Sequence, residues 1–300
     1  MLPLKDYINN PRILFTSFLQ EYGCWIPDRL YLQMQYYLRM GKRIDLNNPQ
    51  TFNEKIQWLK LYNRKPEYTM MVDKLAVKDY VAGIIGSEYI IPTLGVWDNP
   101  EDIDFESLPN QFVLKTTHGG GSSGVVICKD KSTFNVKAAT LSLKRAMKQH
   151  IYKAYREWVY KGITPRIIAE KYLSDLNGEL NDYKIFTFNG EVKMIELDYN
   201  RFKGHQRNLY DSNLHKLEVK MEYPSDPRRE FSKPKRLDEL LELSKKLSAG
   251  ILHVRTDFFI VNDQFYFGEL TFYPDSGYGR ITPEEFNWQL GKWINLPDRD

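Results

Sequence analysis

Seven residues near the middle of the chain constrain the fold most. His118-Gly119-Gly120-Gly121-Ser122-Ser123-Gly124 lies between two short β-prone runs, Phe112-Val113-Leu114-Lys115 and Val125-Val126-Ile127-Cys128. Glycines permit left-handed backbone and let N–H groups approach an anion closely. No Gly-Lys-Ser/Thr follows, and a strand rather than a helix comes next, so the segment is not a P-loop. It reads as strand, glycine-rich loop, strand, which is either a flap able to close over phosphates or a plain surface hairpin. Lys115 ends the entering strand, where its ammonium would point at the same phosphates or into solvent.

Two further hairpins set the rest of the sheet. Tyr183 to Phe188 and Val192 to Leu197 are joined by Asn189-Gly190, and Val254 to Val261 and Gln264 to Leu270 by Asn262-Asp263. Such dipeptides favour the left-handed turns that match strand twist. Ile167 to Leu173 reads as another strand. Helices are expected around Leu30, Met34, Tyr37 and Leu38, which share one helical face. The capping-box pattern Thr51-Phe52-Asn53-Glu54 opens a second helix. Others are expected from Asp73 to Gly86, with Leu75, Val81 and Ile84 or Ile85 inward, from Asn135 to Tyr160, and from Leu237 to Leu247. The last runs from Thr282 to Trp293, with Pro283 in its first turn. The sum is an α+β chain dominated by antiparallel sheet.

The 300 residues suggest about two structural units, at roughly 150 residues each. A net charge of +3 excludes a strongly basic nucleic-acid binder. No apolar run exceeds four residues, whereas a membrane helix needs roughly 20. Met1 to Leu19 does not read as a secretory signal. The two cysteines, Cys24 and Cys128, make neither a disulfide framework nor a metal cluster and read as small buried hydrophobes. A reducing, cytoplasmic location fits. Aromatic residues are 14% of the chain, which suits either an aromatic-rich core or a sugar- or nucleotide-lined cleft.

The last hairpin carries Arg255-Thr256-Asp257 on one strand and Glu269-Leu270-Thr271 on the other. Like parity puts Arg255 with Asp257 and Glu269 with Thr271. Two facing carboxylates repel unless something cationic lies between them. Mg²⁺ is one candidate, since it takes oxygen ligands from one or two carboxylates and substrate phosphates. Arg255 bridging the two acids is the other. Ile167 to Leu173, with Glu170-Lys171-Tyr172 before its apolar stop, could line an adenine pocket or be an ordinary strand. Asp73 and Lys74 at a helix start make a reasonable phosphate site. The loop Arg201 to Arg207, with Lys203 and His205 around Phe202, is either a grip for an acidic sugar or a solvated loop.

The order of these pieces is more specific than any one of them. It resembles the ATP-grasp superfamily, the D-alanine–D-alanine ligases among them, over Val72 to about Arg280. Trp58 to Pro92 and Gly268-Glu269-Leu270-Thr271-Phe272-Tyr273-Pro274 are closer still to the TupA-like ATP-grasp family, associated with teichuronopeptide, capsule and O-antigen synthesis in bacteria. The resemblance implies an ATP-grasp fold of two α+β subdomains clamping ATP (73–175 and 176–300) behind an N-terminal helical region (1–72). It implies that Lys74, Lys115 and Lys184 bind phosphates. Gly119, Gly120, Gly121, Ser122 and Ser123 would close over them. Glu170 would meet the adenine amino group, the backbone of Lys171, Tyr172 and Leu173 would complete the base site, and Asp182 is the ribose candidate. Asp257, Glu269 and Thr271 would hold Mg²⁺, with Thr271 where the superfamily usually has Asn. Arg255 would stabilise the transition state, and Arg201, Lys203, Arg207 and Arg280 are candidate substrate ligands.

The implied reaction is ATP- and Mg²⁺-dependent ligation of a carboxylate to an amine through an acyl phosphate. The expected acid is a uronic acid of a polysaccharide or of its nucleotide- or lipid-linked precursor, and the amine an amino acid. Peripheral association with polysaccharide-synthesis machinery follows. The rivals are a sugar kinase, a glycosyltransferase, for which no Gly-x-Gly-x-x-Gly is present, and a non-catalytic carbohydrate-binding module.

Overall fold

The structure, a computed structural model, describes residues 11–121, 124–174, 181–199, 204–229, 231 and 233–297. Helices α1 (Pro11–Tyr22) and α2 (Asp28–Met40) pack on one another. The face of α2 differs from the expected one. Tyr31, Leu32, Gln35 and Tyr36 are buried, while Leu30, Met34 and Tyr37 are exposed. Tyr31 and Gln35 on this face have polar partners. Tyr31 Oη and Gln35 Nε2 donate to the Ala154 carbonyl at 2.9 and 2.8 Å, and Tyr278 Oη donates to Gln35 Oε1 at 2.8 Å. Satisfied polar groups bury without penalty, so the more polar stripe can face inward.

Helix α3 (Phe52–Tyr62) starts at the expected capping box, in which Thr51 and Glu54 exchange side-chain-to-backbone bonds. After α4 (Glu67–Val72) comes α5 (Ala76–Ile85), shorter than expected. Asp73 Oδ1 accepts from the N–H groups of Leu75 and Ala76 at 2.8 and 3.2 Å, holding a turn ahead of the helix. Val77, Val81 and Ile85 face the core. Ile84 is exposed and Leu75 half-buried.

Four antiparallel strands form one sheet in the order β1-β4-β2-β3: β1 (Thr93–Trp97), β2 (Phe112–Thr116), β3 (Val125–Cys128) and β4 (Ile167–Lys171). The expected long helix between β3 and β4 is broken into α6 (Val136–Met147), α7 (Ile151–Tyr155) and a 3-10 turn, Trp158–Tyr160. Tertiary contacts claim the backbone here. The Ala154 carbonyl serves α2, and Arg156, with φ 56°, lies buried with its guanidinium 3.7 Å from the centre of the Tyr31 ring.

The larger sheet is antiparallel in the order β10-β9-β5-β6-β7. Its strands are β5 (Asn181–Phe188), β6 (Glu191–Tyr199), β7 (Gln206–Asp211), β9 (His253–Val261) and β10 (Gln264–Thr271). Both expected hairpin turns are present, with φ of 51° and 82° at Asn189-Gly190 and 50° and 62° at Asn262-Asp263. A two-stranded ribbon pairs β8 (Lys220–Met221) with β11 (Ile281–Thr282). Helix α8 (Leu237–Leu247) covers the sheet as expected, and α9 (Glu284–Lys292) begins one residue after Pro283.

Two cores result. The larger joins the five-stranded sheet to α3, α4, α5, α8 and α9, and the smaller joins the four-stranded sheet to α6. Helices α3 and α5, on either side of residue 72, both pack in the larger core. Cys128 is buried as expected, whereas Cys24 is exposed. No helix among the described residues is long and apolar enough to cross a membrane.

Candidate active site

Strand register assembles a charged row across the larger sheet. Glu269 pairs with Asp257, Asp257 with Lys184, and Lys184 with Glu196. Parity places Arg255 and Thr271, and on the other side Asp182 and Asp198, on the same face. Arg207 stands opposite Asp198. Apolar sheet residues fill the opposite face, so this face is left for chemistry.

The guanidinium of Arg255 grips Asp257 in a two-pronged pair, Nε–Oδ1 and Nη2–Oδ2 both at 2.7 Å. It also donates to Thr271 Oγ1 at 3.2 Å and lies 3.6 Å from Glu269 Oε1. Thr271 Oγ1 donates to Glu269 Oε1 at 3.3 Å. Lys184 Nζ is 2.6 Å from Asp182 Oδ2 and 2.9 Å from Asp198 Oδ2. Arg207 reaches Asp198 at 2.8 Å, Glu196 at 3.0 Å and Asp275 at 3.5 Å. Asp275 comes from a turn where it and Ser276 have φ of 47° and 56°, strained backbone for non-glycine residues.

Burial pushes the Asp257 carboxyl up to about 6, against the pull of Arg255 and Lys184. Burial likewise raises Glu196 to about 7, with Asp198 adding and Arg207 opposing. Asp198 goes the other way. Burial alone would raise it, but the Lys184 ammonium and the Arg207 guanidinium hold it far below the usual range. The two carboxylates thus share one strand and differ widely in proton affinity.

A narrow cleft opens beside this face, lined by Lys74, Lys78, Lys115, Glu170, Gly268 and the apolar Val77, Ile90, Ile91 and Phe267. Lys74 spans it, since its ammonium donates to the Gly119 carbonyl and lies 3.5 Å from Glu269 Oε2. Its N–H bonds the Thr117 carbonyl at 3.0 Å. The glycine loop, the turn before α5 and the β9–β10 hairpin therefore meet at one lysine. Glu170 is held between Lys78 Nζ at 2.5 Å and Lys115 Nζ at 2.6 Å. Gly124 has φ 77°, and a Cβ there would overlap Thr116 Oγ1, so this position of the loop favours glycine.

The structure thus brings Lys74, Lys115, Glu170, Lys184, Arg255, Asp257, Glu269 and Thr271 to adjoining walls. Lys171 is exposed, Tyr172 half-buried and Leu173 buried against Ile91 and Val261. Gly119 and Gly120 are half-buried and Gly121 is exposed, and the Gly119 carbonyl accepts from Lys74. Arg207 is not part of a solvated loop. It lies in β7, buried, with its charge spent on three carboxylates. Arg280 is exposed, and its backbone pairs with Glu222. Ser122, Ser123, Arg201 and Lys203 lie outside the described residues. Lys78, Glu196, Asp198 and Asp275 belong to the site and were not singled out from sequence. Parity along β6 would have found Glu196 and Asp198.

The donors suit Mg²⁺ bound together with phosphate. All of them are oxygens, and six carboxylates (Asp182, Glu196, Asp198, Asp257, Glu269, Asp275) face four cations (Lys74, Lys184, Arg207, Arg255). No three His, Cys, Asp or Glu side chains among the described residues could hold an ion by themselves. Asp257 and Glu269 would supply two ligands and phosphate oxygens the rest, which is how Mg²⁺ is usually held.

The TupA-like ATPgrasp family profile matches residues 54–295. No curated protein sequence matches the chain. Among solved structures, the chain is similar to D-alanine–D-alanine ligase from Helicobacter pylori (17% identity over 82% of this chain and 69% of that chain, TM-score 0.42). It is also similar to the Bacillus anthracis D-alanine–D-alanine ligase (19% identity over 67% of this chain, TM-score 0.39), of whose length it spans only 57%. A RimK domain protein from Sphaerobacter thermophilus DSM 20745 matches at 9% identity over 77% of this chain and 70% of that one, TM-score 0.42. With the profile covering most of its length, this chain belongs to the TupA-like ATP-grasp family.

Proposed function

We propose that the protein is an ATP-dependent ligase that joins a carboxylate to an amine through an acyl phosphate. The proposed acid is a uronic acid of a bacterial surface polysaccharide or of its precursor, and the amine an amino acid. The observation that carries the ligase reading is the meeting of Lys74, Arg255, Asp257 and Glu269 beside a cleft walled by Lys115 and Glu170. The polysaccharide acid is supported by the family's association with teichuronopeptide and capsule synthesis.

ATP would lie in that cleft, its base against Glu170 and the Lys171–Leu173 backbone, its ribose near Asp182 and its phosphates on Lys74, Lys115 and Lys184. The 119–124 loop would cover it. Mg²⁺ held by Asp257, Glu269 and Thr271 would neutralise phosphate charge. A carboxylate oxygen of the acid attacks the γ-phosphorus and ADP departs. The amine then attacks the carbonyl carbon, inorganic phosphate leaves with the C–O electron pair, and the amine nitrogen loses a proton to solvent. Arg255 offsets charge on the transferring group, because phosphoryl transfer depends mainly on positioning and neutralisation. Flap closure keeps water from the acyl phosphate.

The test is ADP release measured with the acid alone, the amine alone and both together, alongside thermal shifts with Mg-ATP and UDP-sugars. Ligation requires full turnover only with both substrates. ADP formation with a sugar alcohol alone would show a kinase instead. Stabilisation by UDP-sugars and not by Mg-ATP would show a glycosyltransferase. Stabilisation by Mg-ATP that persists in Asp257→Asn/Glu269→Gln would refute the metal assignment.

A further inference from the structure

Exposed large apolar side chains are concentrated on α1, α2 and the turn between them. Phe15, Phe18, Tyr22 and Trp25 are 59, 61, 60 and 80% exposed, and Leu30 and Met34 are 51 and 40% exposed. Phe18 and Tyr22 stack with centroids 4.9 Å apart, and the Arg12 guanidinium lies 5.6 Å from the centre of the exposed Tyr37 ring, joining the two helices' outer faces. Both helices already satisfy the core. Thr16 and Leu19 of α1 point inward, as do Tyr31, Leu32, Gln35 and Tyr36 of α2. A contiguous outer apolar face of this kind on a folded protein marks a contact surface.

Charge identifies the occupant. Residues 11–43 contain Arg12, Arg29, Arg39, Lys42 and Arg43 against Glu21 and Asp28, so 5 − 2 gives +3, equal to the net charge of the whole chain. Asp28 turns inward to Arg64 and Arg156, Arg39 turns inward over Tyr155 and Tyr278, and Lys42 is paired with Glu284, which leaves Arg12, Arg29 and Arg43 against Glu21, so 3 − 1 gives +2. Two copies of the face would repel each other, whereas a negative surface would attract it. Phe, Tyr and Trp rings with flanking arginines are the side chains that settle at the headgroup boundary of a bilayer. We propose that the outer face of α1 and α2 docks on an anionic lipid surface, lying in the interface without crossing it. Such docking would hold the cleft beside membrane-borne acceptors, but it is independent of the ligase reading and is read without nucleotide.

The experiment uses the full chain and vesicle flotation, comparing phosphatidylglycerol/phosphatidylcholine vesicles with phosphatidylcholine alone. The wild type should float with the anionic vesicles, less so at high salt. Its tryptophan emission should shift to the blue in a way that Trp25→Phe removes. Phe15→Ser/Phe18→Ser and, separately, Arg12→Glu/Arg43→Glu should each lower partitioning at least about tenfold, since each basic residue near such a surface contributes about 1 kcal/mol. Both variants should keep the wild-type melting temperature, because the changed side chains are exposed. Failure to float at low salt overturns the proposal. So does a wild-type dimer that Phe15→Ser/Phe18→Ser dissolves, which would assign the face to a second copy. Flotation seen only after removal of residues 1–10 also overturns it, assigning the face to that segment.

Discussion

Replacing Arg207 by methionine would test whether charge balance holds the buried face together. Methionine keeps much of the volume and removes the guanidinium. Arg207 is 4% exposed and lies within 2.8 Å of Asp198, 3.0 Å of Glu196 and 3.5 Å of Asp275. Removing one partner of a buried ion pair costs about 3–5 kcal/mol, because the other charge stays behind unpaired. At roughly 2 °C or slightly more per kcal/mol for a chain of this size, the melting temperature should fall by roughly 6–12 °C. The sign of the pH dependence follows from Glu196. Its carboxyl is already raised to about 7 in the fold, so the folded state binds a proton that the unfolded state has lost. That contribution is present at low pH and is lost as pH rises through the folded value. Without Arg207 the carboxyl rises further, so the deficit should be larger at about pH 8 than at about pH 5.5. Thermal unfolding followed by circular dichroism at both pH values measures it. A variant that melts within about 2 °C of wild type at both, or whose deficit grows on acidification, refutes the reasoning.

Other substitutions probe separate links. Gly291→Ala in α9 should destabilise by about 1–3 kcal/mol in urea unfolding. The new Cβ would overlap the Gln50 carbonyl oxygen and sit 2.8 Å from the Thr51 carbonyl carbon, although Gly→Ala in an ordinary helix stabilises. ATP turnover should fall as pH drops through about 6, the value to which burial raises Asp257, and a flat profile down to about pH 5 would remove Asp257 from the ionised set. Glu170→Gln leaves Lys78 and Lys115 without their shared carboxylate and should lower the melting temperature by several degrees and weaken nucleotide binding by at least about tenfold. Isothermal titration reads the second effect.

Local rules carried most of the strand framework. Asn189-Gly190 and Asn262-Asp263 mark their turns because few other dipeptides accept left-handed backbone twice, and Thr51 and Glu54 mark a helix start by satisfying each other's amides. Parity placed Arg255 with Asp257 and Glu269 with Thr271, and register then set the two acids opposite each other. What escaped was decided by distant partners. An apolar stripe shows where a helix is hydrophobic but not whether it faces its own core, and on α2 Tyr31 and Gln35 won the core through bonds to Ala154 and Tyr278. The end of α7 at Tyr155 has no proline or glycine to announce it, and there the Ala154 carbonyl is taken by Tyr31 and Gln35 of α2, more than a hundred residues away. Arg207 looked like a loop cation because its three carboxylates lie on other strands and turns.

The two-pronged grip of Arg255 on Asp257 has a consequence for the sequence of events at the site. Both oxygens of Asp257 are 2.7 Å from guanidinium nitrogens, so a bare divalent cation arriving there competes with a charge already tethered in place. A rival fixed on the next-but-one residue of the same strand cannot be diluted away, and the free ion should therefore associate only weakly. A triphosphate changes the contest by offering Arg255 other oxygens as its own metal approaches the carboxylates. Entry should accordingly be ordered, with nucleotide and metal arriving as one complex, and saturating Mg²⁺ in the absence of nucleotide should leave the melting temperature where it was.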